Sequence, residues 1–84
     1  MTALEYYIDQ KNRFRRIFDK PEISFPPSAE EVSNLCDALG GDLSPENLHC
    51  DGEISAAEAR SKYDFYMEVQ AELSLLPGYT DPIY

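Results

Sequence analysis

Several residue types are scarce in this 84-residue chain. It has no tryptophan, one histidine, two cysteines and only seven Lys and Arg residues against sixteen Asp and Glu. Cys36 and Cys50 are too few for the disulfide framework of a small secreted domain. Together with His49 they also fall short of the ligand set of a structural zinc site. The sequence therefore predicts reduced thiols, and neither a bound metal nor a cofactor.

Long apolar runs are absent as well. No segment approaches the roughly 18 apolar residues of a membrane-spanning helix, and the first residues do not resemble a signal peptide. Cations are too few to neutralise a phosphate backbone, which disfavours direct nucleic-acid binding. We therefore expect a soluble, cytoplasmic protein that binds neither nucleic acid nor membrane.

The chain also lacks the residue constellations of common enzymes. His49 and Cys50 are neighbours in sequence, which does not place them within hydrogen-bond reach in space. Gly40 and Gly41 lack the lysine and the spacing of a phosphate-binding loop. A core this small is expected to leave little room for a substrate pocket of about 300 Å³. The sequence therefore predicts that the protein is not an enzyme.

Three segments begin with the capping-box pattern, in which a Ser or Thr hydroxyl and a Glu carboxylate satisfy N–H groups of the first helical turn. The pairs are Thr2 with Glu5, Ser28 with Glu31, and Ser55 with Glu58. Each pair precedes apolar residues at helical spacing. The sequence therefore predicts an all-α fold: a small single domain of three main helices plus one short helical turn, with an extended Pro-rich connector after the first helix.

The helix ends are predicted from proline and glycine. We expect the first helix over 3–18, ended by Lys20-Pro21, and the second over 29–39, ended by Gly40-Gly41. A short turn is expected over 44–47, and a third helix over 56–75. The helical domain would then span 1–76, followed by a tail over 77–84 that we expect to dock in part.

The apolar periodicity predicts which side chains form the core. Ile23 and Phe25 are expected to pin the connector to the helices, and Cys36 is expected to be buried as a small apolar residue. The predicted inward positions of the three helices are Leu4, Tyr7, Ile8, Phe14, Ile17 and Phe18; Val32, Leu35, Cys36 and Leu39; and Ala59, Tyr63, Tyr66, Val69, Leu73 and Leu76.

Residues 47–58 resemble the EF-hand calcium loop in their second half, with Gly52 at loop position six and Glu58 at position twelve. The first half departs from that pattern, since asparagine and histidine occupy positions one and three. The resemblance implies a calcium site. A tight turn at Asp51-Gly52, followed by the cap of the third helix, accounts for the same residues. We favour the turn and cap.

Charge is distributed unevenly. Residues 1–20 carry five cations and three acids, whereas residues 21–84 carry thirteen acids and only Arg60 and Lys62. Acids four residues apart on a helix repel each other, and acids near its C-terminus oppose the helix dipole. A helix face with that arrangement is explained by solubility, since net negative charge keeps small proteins apart, or by recognition of a basic partner. The candidate partner-binding residues are Asp64, Glu68, Glu72, Glu30, Glu31 and Asp37.

These features predict a small acidic, non-enzymatic protein-binding module. The most specific version of this prediction is an inhibitor that occludes a basic nucleic-acid-binding surface of its target, with carboxylates in place of phosphates. The composition resembles that of viral or mobile-element proteins that block nucleic-acid enzymes. The alternative is a structural or assembly component that self-associates through its first helix and aromatic tail, with Tyr6, Tyr7 and the C-terminal tyrosines at the contact.

Overall fold

The fold is all-α, as the sequence predicts. The computed structural model describes residues 1–44, 47 and 55–81, and within them it contains three helices and no strand. They are α1 (Ala3–Ile17), α2 (Ala29–Asp42) and α3 (Ala56–Leu73). The helix α3 packs against both α1 and α2 and so forms the spine of the domain. The short turn predicted over 44–47 includes residues outside the described ones.

Each helix begins where the capping pattern predicts. The hydroxyls of Thr2, Ser28 and Ser55 accept hydrogen bonds from backbone N–H groups three residues later, at 3.2, 3.2 and 3.1 Å. The reciprocal bond of a full capping box is present at Ser28, whose N–H donates to the Glu31 carboxylate at 2.8 Å. The hydroxyl half of the motif is therefore sufficient to position the other two helix starts.

The core lies where the three helices meet. Cys36 is completely buried, as predicted. The aromatic rings of Tyr7, Phe65 and Tyr66 pack edge-on or tilted against one another, with centroids 5.5–6.5 Å apart. The buried apolar residues are Leu4, Tyr7, Ile8, Ile23, Val32, Leu35, Cys36, Leu39, Leu43, Ala59, Val69 and Leu73.

The second half of α1 does not join this core, so that part of the prediction is wrong. Phe14, Ile17 and Phe18 are 66%, 75% and 67% exposed. The helix ends at Ile17, before the proline, because Asp19 adopts a left-handed conformation with φ 55°. The Lys20 N–H then donates to the Arg15 carbonyl at 2.7 Å, which closes the last turn.

The helix α2 continues through both glycines to Asp42, where the sequence predicted an end at Leu39. Gly40 is buried and Leu43, the C-cap residue, is 2% exposed. The Asp42 carboxylate accepts a hydrogen bond from the Tyr7 hydroxyl at 2.6 Å. Burial of Leu43 and this bond to α1 outweigh the intrinsic cost of glycine in a helix, about 1 kcal/mol for each glycine.

Only one of the two residues predicted to pin the connector to the helices is buried. Ile23 is buried, and its backbone N–H and carbonyl both bond to the side chain of Asn12, at 2.7 and 3.0 Å. Phe25, predicted to pin the connector, is 55% exposed.

The C-terminal end of α3 lies two residues before the predicted one. The helix ends at Leu73, and Leu75 is exposed. Gly78 has φ 94° and contacts the backbone of Ala29 so closely that a Cβ would collide with it. Tyr79 is partly buried, and its hydroxyl accepts a hydrogen bond from Gln70 at 3.1 Å. Residues 82–84 lie outside the described ones, so docking of the whole tail stays a prediction.

Three positions predicted to face inward in the third helix are less buried than the periodicity predicts. Tyr63 is on the surface, and Tyr66 and Leu76 are only partly buried.

Candidate interaction surface

Two of the six candidate partner-binding carboxylates accept hydrogen bonds from backbone N–H groups, and Glu72 is one of them. Its Oε2 accepts the backbone N–H of Leu4 at 2.9 Å. The first N–H groups of a helix have no partner within the helix, and its N-terminus favours negative charge. Glu72 therefore stabilises the start of α1, although the sequence places it where it opposes the dipole of α3.

Glu31 is the second such carboxylate. Besides the Ser28 N–H, it accepts hydrogen bonds from the hydroxyl and the backbone N–H of Ser24, at 3.0 and 3.2 Å. These bonds, first of all the one from the Ser28 backbone, lower the pKa of the Glu31 carboxyl below its usual value. Glu31 therefore fastens the connector to the start of α2.

The other four candidate carboxylates lie on the outer surface. Asp64 forms an exposed ion pair with Arg60 at 3.1 Å. Among the residues that the structure describes, Glu30, Asp37 and Glu68 are exposed and form no ion pair. Glu30 and Asp37 are seven residues apart and share a face of α2, whereas Asp64 and Glu68 lie on α3.

A polar cluster joins α1 to the last turn of α2. The Tyr7 hydroxyl and the Lys11 ammonium both bond to Oδ2 of Asp42, at 2.6 and 3.2 Å. The Lys11 nitrogen also lies 4.9 Å from the centre of the Tyr7 ring. Burial, together with the bond to Asp42, raises the pKa of Tyr7 strongly. Because Tyr7 is 1% exposed, it is not available for the self-association contact in which the sequence placed it.

The second half of α1 presents an apolar surface that the sequence analysis missed. We call Phe14, Ile17 and Phe18 the α1 tip patch. Their spacing places them on one face of the helix, and each is about two thirds exposed or more. The periodicity that suggested a core face was the only signal of this patch in the sequence.

Charged residues of both signs surround the α1 tip patch. Arg13 pairs with Asp9 at 3.2 Å, and Arg16 pairs with Glu22 at 2.8 Å. Arg15 donates a hydrogen bond to the carbonyl of Pro21 at 3.1 Å. Arg13 and Arg16 are therefore balanced by neighbouring acids.

Phe14 forms a wall of three open clefts. The largest, about 380 Å³, also involves Tyr7, Lys11, Asp42 and Tyr66. A second of about 330 Å³ lies between α1 and α2, and a third of about 300 Å³ lies beside Phe18. These volumes reach the lower end of ligand-binding clefts, so the surface of this small domain offers more room than the sequence predicts.

Most of the EF-hand-like segment lies outside the described residues, as does Cys50, so the structure does not test either interpretation of that loop. Within 1–44, 47 and 55–81, no group of three or more His, Cys, Asp or Glu side chains could hold a metal ion. None of the helices described here is long and apolar enough to cross a membrane. No protein family, curated protein or solved structure matches this chain.

Proposed function

We propose that the chain is a non-enzymatic protein-binding module whose contact surface is the α1 tip patch. The observation that carries this proposal is the exposure of Phe14, Ile17 and Phe18, in a domain whose whole described core contains only twelve apolar side chains. Adjacent exposed apolar side chains of this size mark interaction sites on soluble proteins.

The surroundings of the patch favour a protein partner over a nucleic acid. Phosphate contacts require cations that are free to pair. Here Arg13 and Arg16 are already paired with acids, while the apolar side chains of the patch beside them are exposed. An apolar centre with a charged rim of both signs is the usual composition of a protein–protein contact.

The largest cleft supports the non-enzymatic part of the proposal. Its Tyr7 hydroxyl and Lys11 ammonium both donate hydrogen bonds to the Asp42 carboxylate. Tyr7 keeps its proton, because its pKa is raised. A general acid or base needs a pKa close to the working pH, and Tyr7 is shifted away from it.

A second candidate function uses the acidic surface. The exposed Glu30, Asp37 and Glu68 form no ion pair with a described cation, and the net charge is −9. These carboxylates support occlusion of a basic nucleic-acid-binding surface on a target protein. In that function Glu31 and Glu72 would hold the fold rather than contact the target.

Affinity capture from the native host with three matched baits separates the two functions. The baits are the wild type, Phe14→Ser with Phe18→Ser, and Glu30→Lys with Glu68→Lys, each first checked for helical content by circular dichroism. The captured protein is then purified and its affinity for each bait measured by calorimetry. Affinity lost only in the phenylalanine variant supports the patch, and affinity lost only in the lysine variant supports the acidic surface. Equal affinity for all three baits contradicts both functions.

A further inference from the structure

We infer that the occupant of the α1 tip patch is a second copy of this chain, bound patch to patch about a two-fold axis. The inference rests on the proposed function, because it names the partner of the same surface. In a two-fold contact the same surface is used by both copies, so it must be complementary to itself.

For a contact that uses the same surface of both copies, charge repulsion is weakest at this end of the molecule. Residues 9–22 carry five cations and three acids, whereas the remainder of the chain carries two cations and thirteen acids. Two copies that approached through the remainder would repel each other. At the α1 tip, a cation of one copy can face an acid of the other.

Asp19 and Lys20 are the residues that provide this pairing. Both are exposed at the end of α1, and neither forms an ion pair among the residues that the structure describes. They have opposite charge and are adjacent in sequence. A two-fold axis near them would bring Asp19 of each copy towards Lys20 of the other, which satisfies the charges that the monomer leaves free.

The patch can also pack against a copy of itself. Phe14, Ile17 and Phe18 are 66%, 75% and 67% exposed, so their apolar surface is uncovered in a single copy. When two patches face each other, the aromatic rings of one copy can be buried against those of the other, where ring pairs add to the gain from burial.

The available area predicts a weak dimer. The three patch residues expose roughly 400 Å² for each copy, judged from the area that aromatic side chains bury. Two copies would bury roughly 800 Å², and the charged rim would extend the contact to about 1,000 Å², the lower limit for specific interfaces. We therefore expect the dimer to dissociate on dilution, with each copy keeping its own core.

Sedimentation equilibrium of the full chain, over a wide range of protein concentration, tests the inference. The wild type should change from monomer to dimer as its concentration rises. Phe14→Ser with Phe18→Ser should weaken the dimer about tenfold or more, the effect of removing a central contact. Phe25→Ser with Leu75→Ser removes two exposed apolar residues from elsewhere on the surface and should leave the dimer unchanged.

A charge exchange keeps the test valid if the serine variant is poorly folded. Asp19→Lys and Lys20→Asp should each weaken the dimer, and the variant that carries both substitutions should recover it, because the pairs across the axis are restored with reversed sign.

Three results would overturn the inference: a wild type that is monomeric throughout, a dimer that the patch variant leaves intact, or a charge exchange without recovery. If the wild type is monomeric but its captured partner still requires Phe14 and Phe18, the dimer is contradicted and the proposed function is not. If the captured partner were equally insensitive to the patch, both would fail.

Discussion

The two halves of α1 have the same apolar spacing and different surroundings. In the first half, Leu4, Tyr7 and Ile8 are at most 4% exposed, because α3 packs against them. In the second half, Phe14 and Ile17 continue the stripe at helical spacing and are at least 66% exposed. Periodicity shows which side chains share a face of a helix, but it does not show where the neighbouring helix ends.

The difference also separates a half of α1 that stabilises the fold from a half whose apolar surface we propose as a binding site. The first half of α1 is fastened at its N-terminus by Glu72 and along its side by the bond between Tyr7 and Asp42. The second half is anchored through Asn12 at its base and through the arginine contacts to the connector. Its apolar side chains add little to the folded state, so they remain available for a partner.

Replacing one isoleucine in each half should give the largest difference in stability. Ile8→Ala removes a core side chain that is 4% exposed and should lower the free energy of unfolding by about 2–5 kcal/mol. Ile17→Ala makes the same change at a position that is 75% exposed and should alter it by no more than about 0.5 kcal/mol. Urea unfolding of both variants at low protein concentration measures the difference. Equal losses would mean that the second half is covered in solution.

Asn12 lies at the boundary between the halves, and its replacement should have the next largest effect on the free energy of unfolding. Asn12→Ala leaves the backbone N–H and carbonyl of the buried Ile23 without their partner. Unsatisfied buried groups cost about 1–3 kcal/mol, so we expect a loss near 2 kcal/mol.

The control for Asn12 is Asn34→Ala, which truncates an exposed asparagine of α2 and should change the unfolding free energy by less than about 0.5 kcal/mol. A stable Asn12→Ala variant would mean that water replaces the side chain at Ile23.

The adjacent tyrosines of the first half should differ by a smaller amount. Tyr7→Phe removes the hydrogen bond to the Asp42 carboxylate and should cost about 1.5 kcal/mol. Tyr6→Phe removes a hydroxyl from a side chain that is 46% exposed and should cost almost nothing. Thermal unfolding of the two variants measures the contrast, and equal midpoints would contradict the assignment of the bond.

The difference in stability between the Tyr7 and Tyr6 variants should also depend on pH. The pKa of Tyr7 is raised in the folded state from its ordinary value of 10.0. Its contribution to stability is therefore complete below pH 10 and is lost as the pH rises above that value, because the unfolded chain then releases the proton first. Wild type and Tyr6→Phe should lose stability in this range more steeply than Tyr7→Phe.

Substitutions of Asp19, at the end of the second half, should have the smallest effect on the free energy of unfolding. Asp19 has φ 55°, a conformation that glycine adopts without steric cost. Asp19→Gly should raise the unfolding free energy by about 0.5–1 kcal/mol, whereas Asp19→Ala should lower it by a similar amount, since alanine tolerates this conformation less well than aspartate. Denaturant unfolding at low protein concentration checks both, and a destabilised glycine variant would mean that the Asp19 side chain holds the turn.

Individual residues show how far the sequence predicts the fold. The starts of all three helices follow from Thr2, Ser28 and Ser55, because a cap is a contact between residues three positions apart. The end of α2 does not follow from Gly40 and Gly41, because the outcome depends on what buries Leu43 and binds Asp42. Local signals are reliable where the stabilising partner is local.

The candidate surface was predicted less well than the fold. Glu72 lies on the outer row of the third helix in sequence terms, yet its hydrogen bond reaches Leu4, 68 residues away. No local pattern contains that partner. Phe14 and Phe18 were assigned to the core because their spacing is that of a core face, yet both are about two thirds exposed in the fold.

The sequence by itself determined the all-α class, the three helix starts, the buried Cys36 and the uneven distribution of charge, since each depends on composition or on neighbours within one turn. Only the tertiary structure decided which carboxylates are used internally, how far α2 extends and which half of α1 stays exposed. Those outcomes depend on distances between segments far apart in the chain. Burial and long-range hydrogen bonds exist only once α3 has packed against the other two helices.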